Sequence, residues 1–368
     1  MTPDTAAEEA NLPRVRDLVL RHGWNATAYQ IINPGIAHWF SAGGDALIGY
    51  VEYAGVRVTA GAPVCAEERL PEVVREFEAD AAQADRRVCY FGGESRLEVA
   101  CRKSRGHSMV LLGAQPAWSP AHWGPMLAGH SSLRAQLSRA RNKGVAVQEW
   151  TAERATDHPE LRECLDAWLK TRGLPTMHFL VEPATLTRLF DRRIFVAARA
   201  EKVLAFLVAS PVPRRNGWLV EQIVRGPAAP NGTAELLIDA AVRAVGASGS
   251  QYVTLGLSPL SQRAELRRES NPPWVRILLG WARAHGNRFY NFEGLDAFKA
   301  KFRPERWEPV YAIANERTFS PRMLYAIAAA FANGSPILMG CKALLRAVSR
   351  ELGWLAQRLH LRRKQAAE

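Results

Sequence analysis

The stretch VEQIVRGPAAPNGTAELL (Val220–Leu237) narrows the possible folds more than any other part of the chain. It reads as a strand, a turn holding two prolines and two glycines, and a helix that starts at Asn231–Thr233. The helical pattern NGTAELLIDAAVRAVGASG stops near Gly246, and QYVTLGLSPL follows as a strand leading into a loop. Backbone N–H groups at such a helix start point at whatever lies above them, and the helix dipole favours an anion there. Turn and cap chemistry accounts equally well for Asn231 and Gly232. The stretch therefore fixes a layered strand–turn–helix–strand arrangement and offers an anion contact.

Around it the chain keeps the same style. AYQIIN, AHWFSAGGDALIGYVEY and VRVTAG read as short strands between Ala28 and Thr59. Leu70–Gln83 has a helical pattern, and RVCYFGG and HSMVLLGA are further strands. RRIFVAARAEKVLAFLVASPV looks like a hairpin, with GWLVEQIVRG as the next strand. A meander followed by helix, strand, helix, strand predicts an α+β fold with mixed sheets flanked by helices, not a regular Rossmann alternation. A length of 368 residues suits two domains. The boundary is expected between residues 145 and 155, giving domains 1–150 and 151–318 and a tail over 319–368.

The charge is basic: 48 Lys+Arg against 36 Asp+Glu, a net of +12, which favours an anionic partner. GHSSLRAQLSRARNKGV predicts a helix capped by Ser131 or Ser132 and stopped by Gly144. Arg134, Arg139, Arg141 and Lys143 on it form either a solvated face or a rail for phosphates. Five scattered cysteines without a CxxC suggest neither a disulfide framework nor a zinc site. The histidines show no metal-ligand spacing, and His130 and His285 read as isolated residues. No Walker loop, GxSxG, HExxH or GxGxxG is present. The start lacks the apolar core of a signal peptide, and the helix-like apolar run Met323–Ala332 is well short of the roughly 20 residues that span a bilayer. These features predict a reduced, cytoplasmic protein.

Two further constellations carry chemistry. Glu221 and Arg225, four residues apart on one strand, are expected on one face, as an ion pair or as a base beside an anion clamp. FYNFEGLDAFKAKFRPERWEPVY (Phe289–Tyr311) crowds rings and cations together. If this segment is helical, Lys299 and Lys301 diverge by roughly 200°, while Phe298 and Phe302 become neighbours facing the core.

In order and spacing, LLGAQPAW, LRAQLSRARNKGV, APNGTAELLIDAAV, LGLSPL and FYNFEGLDAFKAKFRPERWEPVY resemble the C-terminal catalytic domain of phosphatidylglycerol lysyltransferases, the multiple peptide resistance factor family. The likeness runs from about residue 25 to 315. It implies tandem GNAT-like (acyl-CoA N-acyltransferase-like) folds. It also implies an enzyme that moves an amino acid from aminoacyl-tRNA to a lipid hydroxyl such as that of phosphatidylglycerol, with no metal and no cofactor. The family's strand motif Asp-Leu-Met-Arg falls on Glu221–Val224, so the acid is lengthened and Arg225 comes one place late. Either Arg225 serves a changed substrate or the strand carries a bulge. The lysines of the family's Phe-Lys-x-Lys-Phe match at Lys299 and Lys301. On this reading Glu221 is base or orienter, and Asn231 with the Gly232–Thr233 backbone supplies donors. Arg225, Lys299 and Lys301 hold phosphate or oxyanion, with Arg303, Arg134 and Arg141 along the substrate path. The rivals are a coenzyme-A-dependent N-acyltransferase on the same fold, whose Gln/Arg-x-x-Gly-x-Gly/Ala loop is not cleanly present, and a non-catalytic lipid- or RNA-binding protein.

Residues 321–368 hold eight Lys+Arg and two Asp+Glu. Cys341, Leu345, Val348, Leu352, Leu355 and Leu359 recur at spacings of four and three, an apolar seam on one helix. Such a basic amphipathic helix either docks peripherally on the anionic inner face of the cell membrane or packs on the protein.

Overall fold

The computed structural model describes residues 3–340 except 104–105, 173–174, 265–270 and 286–290. The apolar seam beyond residue 340 therefore lies outside the described residues. The chain opens with helix α1 (Pro3–His22), which the sequence reading missed, and α1 delivers Val15, Leu18 and Val19 to the core. The AYQIIN segment is not the expected strand. Residues Ala28–Ile32 form a buried 3-10 turn.

A unit of one design then occurs twice. In the first, β1 (Ala37–Phe40), β2 (Leu47–Tyr53) and β3 (Val56–Ala60) form an antiparallel meander. Helix α2 (Leu70–Gln83) crosses over to β4 (Arg87–Gly93), which runs parallel to β3. Its Leu70, Val73, Val74, Phe77 and Ala81 recur at helical spacing and are buried, so one stripe decides both helix and docking face. After α3 (Ser95–Arg102), β5 (Ser108–Trp118), α4 (Trp123–Ala128) and α5 (Ser131–Asn142), the design repeats. β6 (Ala146–Trp150) leads through α6 (Ala152–Ala155) and α7 (Pro159–Thr171) to β7 (Arg193–Arg199), β8 (Lys202–Val212) and β9 (Gly217–Arg225). These four strands are antiparallel, and α8 (Thr233–Ala247) crosses over to β10 (Tyr252–Thr254), parallel to β9.

The chain closes with β11 (Ser258–Pro259), α9 (Pro273–His285), α10 (Phe292–Ala300), β12 (Arg306–Ala314) and α11 (Pro321–Ala332). All strands join one mixed sheet in the order β1-β2-β3-β4-β12-β5-β10-β9-β8-β7-β6, with β11 paired to β5. The predicted α+β class, with a mixed sheet flanked by helices, is found. β12 returns from late in the sequence to lie between β4 and β5. Ile194 and Val196 face the α7 side while Phe195 and Ala197 face α5 and α8, so strand alternation feeds two cores at once. Met323, Ala326 and Ile327 bury one face of α11 against the first unit. No helix among the described residues is long and apolar enough to cross a membrane.

Candidate functional site

Parallel strands β9 and β10 are paired only over Gly217–Leu219 and Tyr252–Thr254. β9 continues to Arg225 with β8 alone as its partner, while the chain leaving β10 turns to pair with β5 through β11. The two strands therefore part as a fork. Loop 226–232 follows β9, so the N-terminus of α8 stands at the mouth of the fork.

A β-bulge lies at the branching point. Ala209 pairs with Val220 and Val208 with Gln222, which leaves Glu221 as the extra residue. The bulge changes the alternation between Glu221 and Arg225, so the expectation that they share a face does not hold. Val220 and Ile223 face the α8 core while Val224 faces the α7 core. Glu221 instead pairs with Arg192, which sits just before β7. The guanidinium is bidentate, with Nε to Oε2 at 2.8 Å and Nη2 to Oε1 at 3.1 Å, and the two side chains are 0% and 3% exposed. Arg192 also donates to Asn33 Oδ1 at 2.6 Å and to the Arg188 carbonyl at 2.5 Å, and Asn33 Nδ2 donates to Glu221 Oε1 at 3.5 Å. Both oxygens of Glu221 are thus held by a partner, which suits an orienter better than a free base. The sequence reading missed Arg192 and Asn33. Arg192 was detectable, since it shares the core-facing register of Ile194 and Val196 and a cation there requires an anion.

Lys299 forms the floor of the opposite wall. It is buried, and its Nζ donates to the carbonyls of Gly256 (2.9 Å) and Leu257 (2.8 Å), just past β10. Burial, opposed only by nearby Asp296, brings its ammonium down to about 7. Lys301 points elsewhere, as the helical reading predicts. Its ammonium pairs with Glu235 on the first turn of α8, lies 3.4 Å from Gln136 Oε1 on α5, and sits 4.3 Å from the Phe298 ring centroid. Phe298 and Phe302 meet edge to face at 5.4 Å, with Phe302 fully buried against Trp123.

The other predicted residues are distributed around this mouth. Arg225 is exposed, and its Nη2 lies 3.5 Å from Asn231 Oδ1. Gly232 caps α8 at φ +94, and a Cβ there would collide with the Gln136 carbonyl oxygen, so α5 rests directly on the helix start. The Thr233 hydroxyl is turned inward to the Pro230 carbonyl at 2.7 Å. Arg134 donates to the carbonyls of Leu127 and Ala128, and Arg303 to that of Gly129 at 3.4 Å, so both cap the end of α4. Arg141 pairs with buried Asp239 at 3.2 Å, which also holds Trp123 Nε1 and Arg243. The α5 cap is His130, whose Nδ1 accepts from the Leu133 N–H, and not the expected Ser131 or Ser132. His285 has no described side chain.

A second buried polar cluster, also missed, joins the halves beside the fork. Arg215, in the β8–β9 turn, lies between Glu94 and Glu308, and Tyr252 and Gln115 donate to Glu308 at 3.0 and 3.1 Å. Burial pushes the Glu94 carboxyl up to about 7, while the hydrogen bonds and charge of Arg215 outweigh desolvation and hold Glu308 at about 2. Among the described residues no group of three or more His, Cys, Asp or Glu could hold a metal ion. Two surface cavities of about 510 and 600 Å³ lie beside the C-terminal end of α8 and outside loop 226–228. Neither is lined by Glu221 or Lys299.

A family model described as phosphatidylglycerol lysyltransferase, C-terminal, matches residues 16–314. The chain is 26% identical over 329 residues to the phosphatidylglycerol lysyltransferase of Bacillus subtilis, covering 86% of this chain and 36% of that protein. It is 25% identical over 309 residues to the lysylphosphatidylglycerol biosynthesis bifunctional protein LysX of Mycolicibacterium gilvum, covering 81% and 27%. The chain thus spans well under half the length of these relatives. Two solved structures share its fold. One is a C-terminal domain assigned to a lysylphosphatidylglycerol synthetase of Agrobacterium fabrum, with TM-score 0.75, 24% identity, and coverage of 89% of this chain and 98% of that one. The other is L-PGS from Bacillus licheniformis, with TM-score 0.69, 21% identity, and coverage of 90% and 95%.

Proposed function

The chain belongs to the phosphatidylglycerol lysyltransferase C-terminal family, and from that premise we propose that it transfers an amino acid from aminoacyl-tRNA to a lipid hydroxyl such as that of phosphatidylglycerol. The fork between β9 and β10 is the observation that carries this reading. An aminoacyl ester is already activated, so the reaction needs positioning and charge stabilisation more than covalent catalysis. The lipid oxygen bonds to the aminoacyl carbonyl carbon, the ester bond to the tRNA ribose breaks, and the hydroxyl proton ends on the ribose oxygen. Past Leu219 the edge of β9 facing the fork pairs with no strand among the described residues, and in this reading its N–H groups serve the developing oxyanion.

In this proposal Glu221, fixed by Arg192 and Asn33, orients the acceptor hydroxyl or the aminoacyl amine. Arg225 and Asn231 at the mouth contact phosphate. Lys299 sets the opposite wall by holding the Gly256 and Leu257 carbonyls, and Lys301 ties that wall to α8 and α5. Arg134, Arg141 and Arg303 shape the surface on which the nucleic acid lies, beside exposed Arg139 of α5 and Lys143 just past it.

One observation weighs against the coenzyme-A rival. A helix start that cradles a pyrophosphate needs free N–H groups and close approach. Here Pro227 and Pro230 lack N–H groups, the Ala229 N–H is bonded to the Gly226 carbonyl, and α5 occupies the space over Gly232. The test is incubation with a pool of radiolabelled aminoacyl-tRNAs and phosphatidylglycerol, followed by chromatography of the organic extract. Label should enter a lipid product. Folded protein that leaves that phase blank with every tRNA, or that instead consumes acetyl-coenzyme A, overturns the reading.

A further inference from the structure

A bulged residue is released from the register of its sheet, so the β8–β9 ladder alone does not fix where the Glu221 carboxylate points. Its direction is set by Arg192, which itself sits just before β7. The hold on this arginine comes from the N-terminal half of the chain. Turn 28–33, between α1 and β1, faces segment 188–192. The Tyr29 hydroxyl donates to Asp191 Oδ2 at 2.7 Å and accepts from the Asp191 N–H at 3.2 Å. The Ile32 carbonyl accepts from Arg188 Nη1 at 2.8 Å, and Asn33 Oδ1 accepts from Arg192 Nη2 at 2.6 Å. From α1, Arg16 donates to both oxygens of Asp191, at 2.5 and 2.6 Å. The wholly buried Tyr29 ring also lies beside the Arg192 guanidinium, with 5.1 Å between ring centroid and guanidinium carbon.

Tyr29 thus fixes both the side chain and the main chain of Asp191, and the next residue in the chain is Arg192. The turn that carries Tyr29 is itself anchored. All five residues of Ala28–Ile32 are buried, and the Asn33 N–H bonds to the Gln30 carbonyl. Gln30 Nε2 donates to the Leu180 carbonyl at 2.8 Å, which ties in the same connection that leads from α7 to β7. Net stability does not account for this arrangement. A buried arginine–carboxylate pair is worth little more than apolar side chains of the same volume. A functional group keeps its geometry, however, when its partners are held by bonds of their own. The bonds run in one direction, from α1 and turn 28–33 to Asp191, then Arg192, then Glu221 at the fork.

We propose that Asp191 is a positioning residue for the transfer: Tyr29 and Arg16 fix it, and it fixes Arg192 and so the carboxylate of Glu221. The inference rests on the aminoacyl-transfer reading of the fork. Transfer from charged tRNA to phosphatidylglycerol is measured on full-length wild type, Asp191→Ala, Asp191→Asn, Tyr29→Phe, Glu221→Gln and Asp191→Ala/Glu221→Gln, with rates expressed per folded molecule from urea unfolding curves. Asp191→Ala should lower kcat about tenfold with KM for the charged tRNA unchanged, since a displacement of about 1 Å can cost about a hundredfold. Asp191→Asn, whose amide oxygen still accepts from the Tyr29 hydroxyl, should recover most of that loss. Tyr29→Phe keeps the ring beside Arg192 and removes only the hydroxyl, so kcat should fall in the same direction by less. In the Glu221→Gln background Asp191→Ala should cost nothing further, because a group that acts only through Glu221 is silent once that carboxylate is gone. The single variants decide the question by themselves if Glu221→Gln leaves no measurable turnover. Losses that multiply in the double variant, a change in KM alone, an Asp191→Asn as slow as Asp191→Ala, or wild-type rates per folded molecule in the single variants overturn the inference and leave the transfer reading in place. A folded wild type that transfers nothing to lipid removes that reading, and the positioning role with it.

Discussion

The two crossovers, β3–α2–β4 and β9–α8–β10, share connectivity but differ in what they leave open. β3 and β4 are paired through five residues, Val56–Ala60 with Arg87–Phe91, and the Gly61 N–H extends the join to the Phe91 carbonyl. The space beyond is filled by the chain itself: Asn25 donates to the Gly92 carbonyl and to Thr27 Oγ1, and both side chains crowd Gly61. β9 and β10 part after three pairs, next to the bulge at Glu221. Topology therefore does not create the opening. The parting in the second unit instead coincides with one extra residue in β9 and with buried ties on both walls, and the same design serves as scaffold in the first unit and as candidate site in the second.

Removing those ties should have the largest effect. Arg192→Met leaves the Glu221 carboxylate buried without its cation and should cost about 3–5 kcal/mol in urea unfolding. The double variant Arg192→Met/Glu221→Met should recover most of that loss. An ion pair of the first unit, Arg57 of β3 with Asp80 of α2 at 2.5 Å, has a half-exposed acid. Solvent screening should therefore limit Arg57→Met to about 1 kcal/mol. Equal losses at the two sites would mean that the fork is no more dependent on its charges than the closed crossover.

The sequence displayed the elements far better than the ties. The stripe of α2 and the hairpin β7–β8 were legible because helix and strand periods are local properties. Phe298 and Phe302 were legible for the same reason, being four apart on a helix. The placement of β12 between β4 and β5 was not, since no local pattern tells a strand which neighbours to join. The site divides along the same line. Glu221, Gly232, Lys299 and Lys301 drew attention through motif and spacing, but their partners Arg192, the Gly256–Leu257 carbonyls and Glu235 come from elsewhere in the chain. The bulge, expected as one of two explanations for the late position of Arg225, is present one turn of alternation earlier, at Glu221.

A smaller effect should separate the two crossovers at their glycines. Gly61 (φ +83) and Gly232 (φ +94) both adopt left-handed backbone that disfavours a side chain. A Cβ at Gly61 would meet the side chains of Thr27 and Asn25, which can move, whereas at Gly232 it would meet the backbone carbonyl of Gln136. Gly232→Ala should therefore cost about 2–3 kcal/mol and Gly61→Ala about 1–2 kcal/mol, read as the shift in urea midpoint. The reverse order would place the tighter closure at the wrong crossover.

The gentlest effect is a slope against pH, set by a buried acid in one unit and a buried base in the other. Glu94 follows β4, and burial pushes its carboxyl from 4.5 up to about 7, with Arg215 opposing. Lys299 supports the chain leaving β10, and burial brings its ammonium from 10.5 down to about 7, with Asp296 opposing. Between pH 4.5 and 7 the folded protein keeps a proton on Glu94 that the unfolded chain has released, so this group makes stability fall as pH rises. Between pH 7 and 10.5 the folded protein has lost a proton from Lys299 that the unfolded chain retains, so this group makes stability rise with pH. Glu308, held at about 2, stays ionised in the folded protein, so it adds a rising slope only near pH 4.5 and below, where the unfolded carboxyl takes up its proton. Neither limb exceeds about 1.4 kcal/mol per pH unit. Relative to wild type, Glu94→Gln should remove the falling limb alone and Lys299→Met the rising limb alone, measured by unfolding from acid to alkaline pH. If Lys299→Met leaves the alkaline limb unchanged, Lys299 titrates as a solvated amine and cannot be the buried support of the fork's wall.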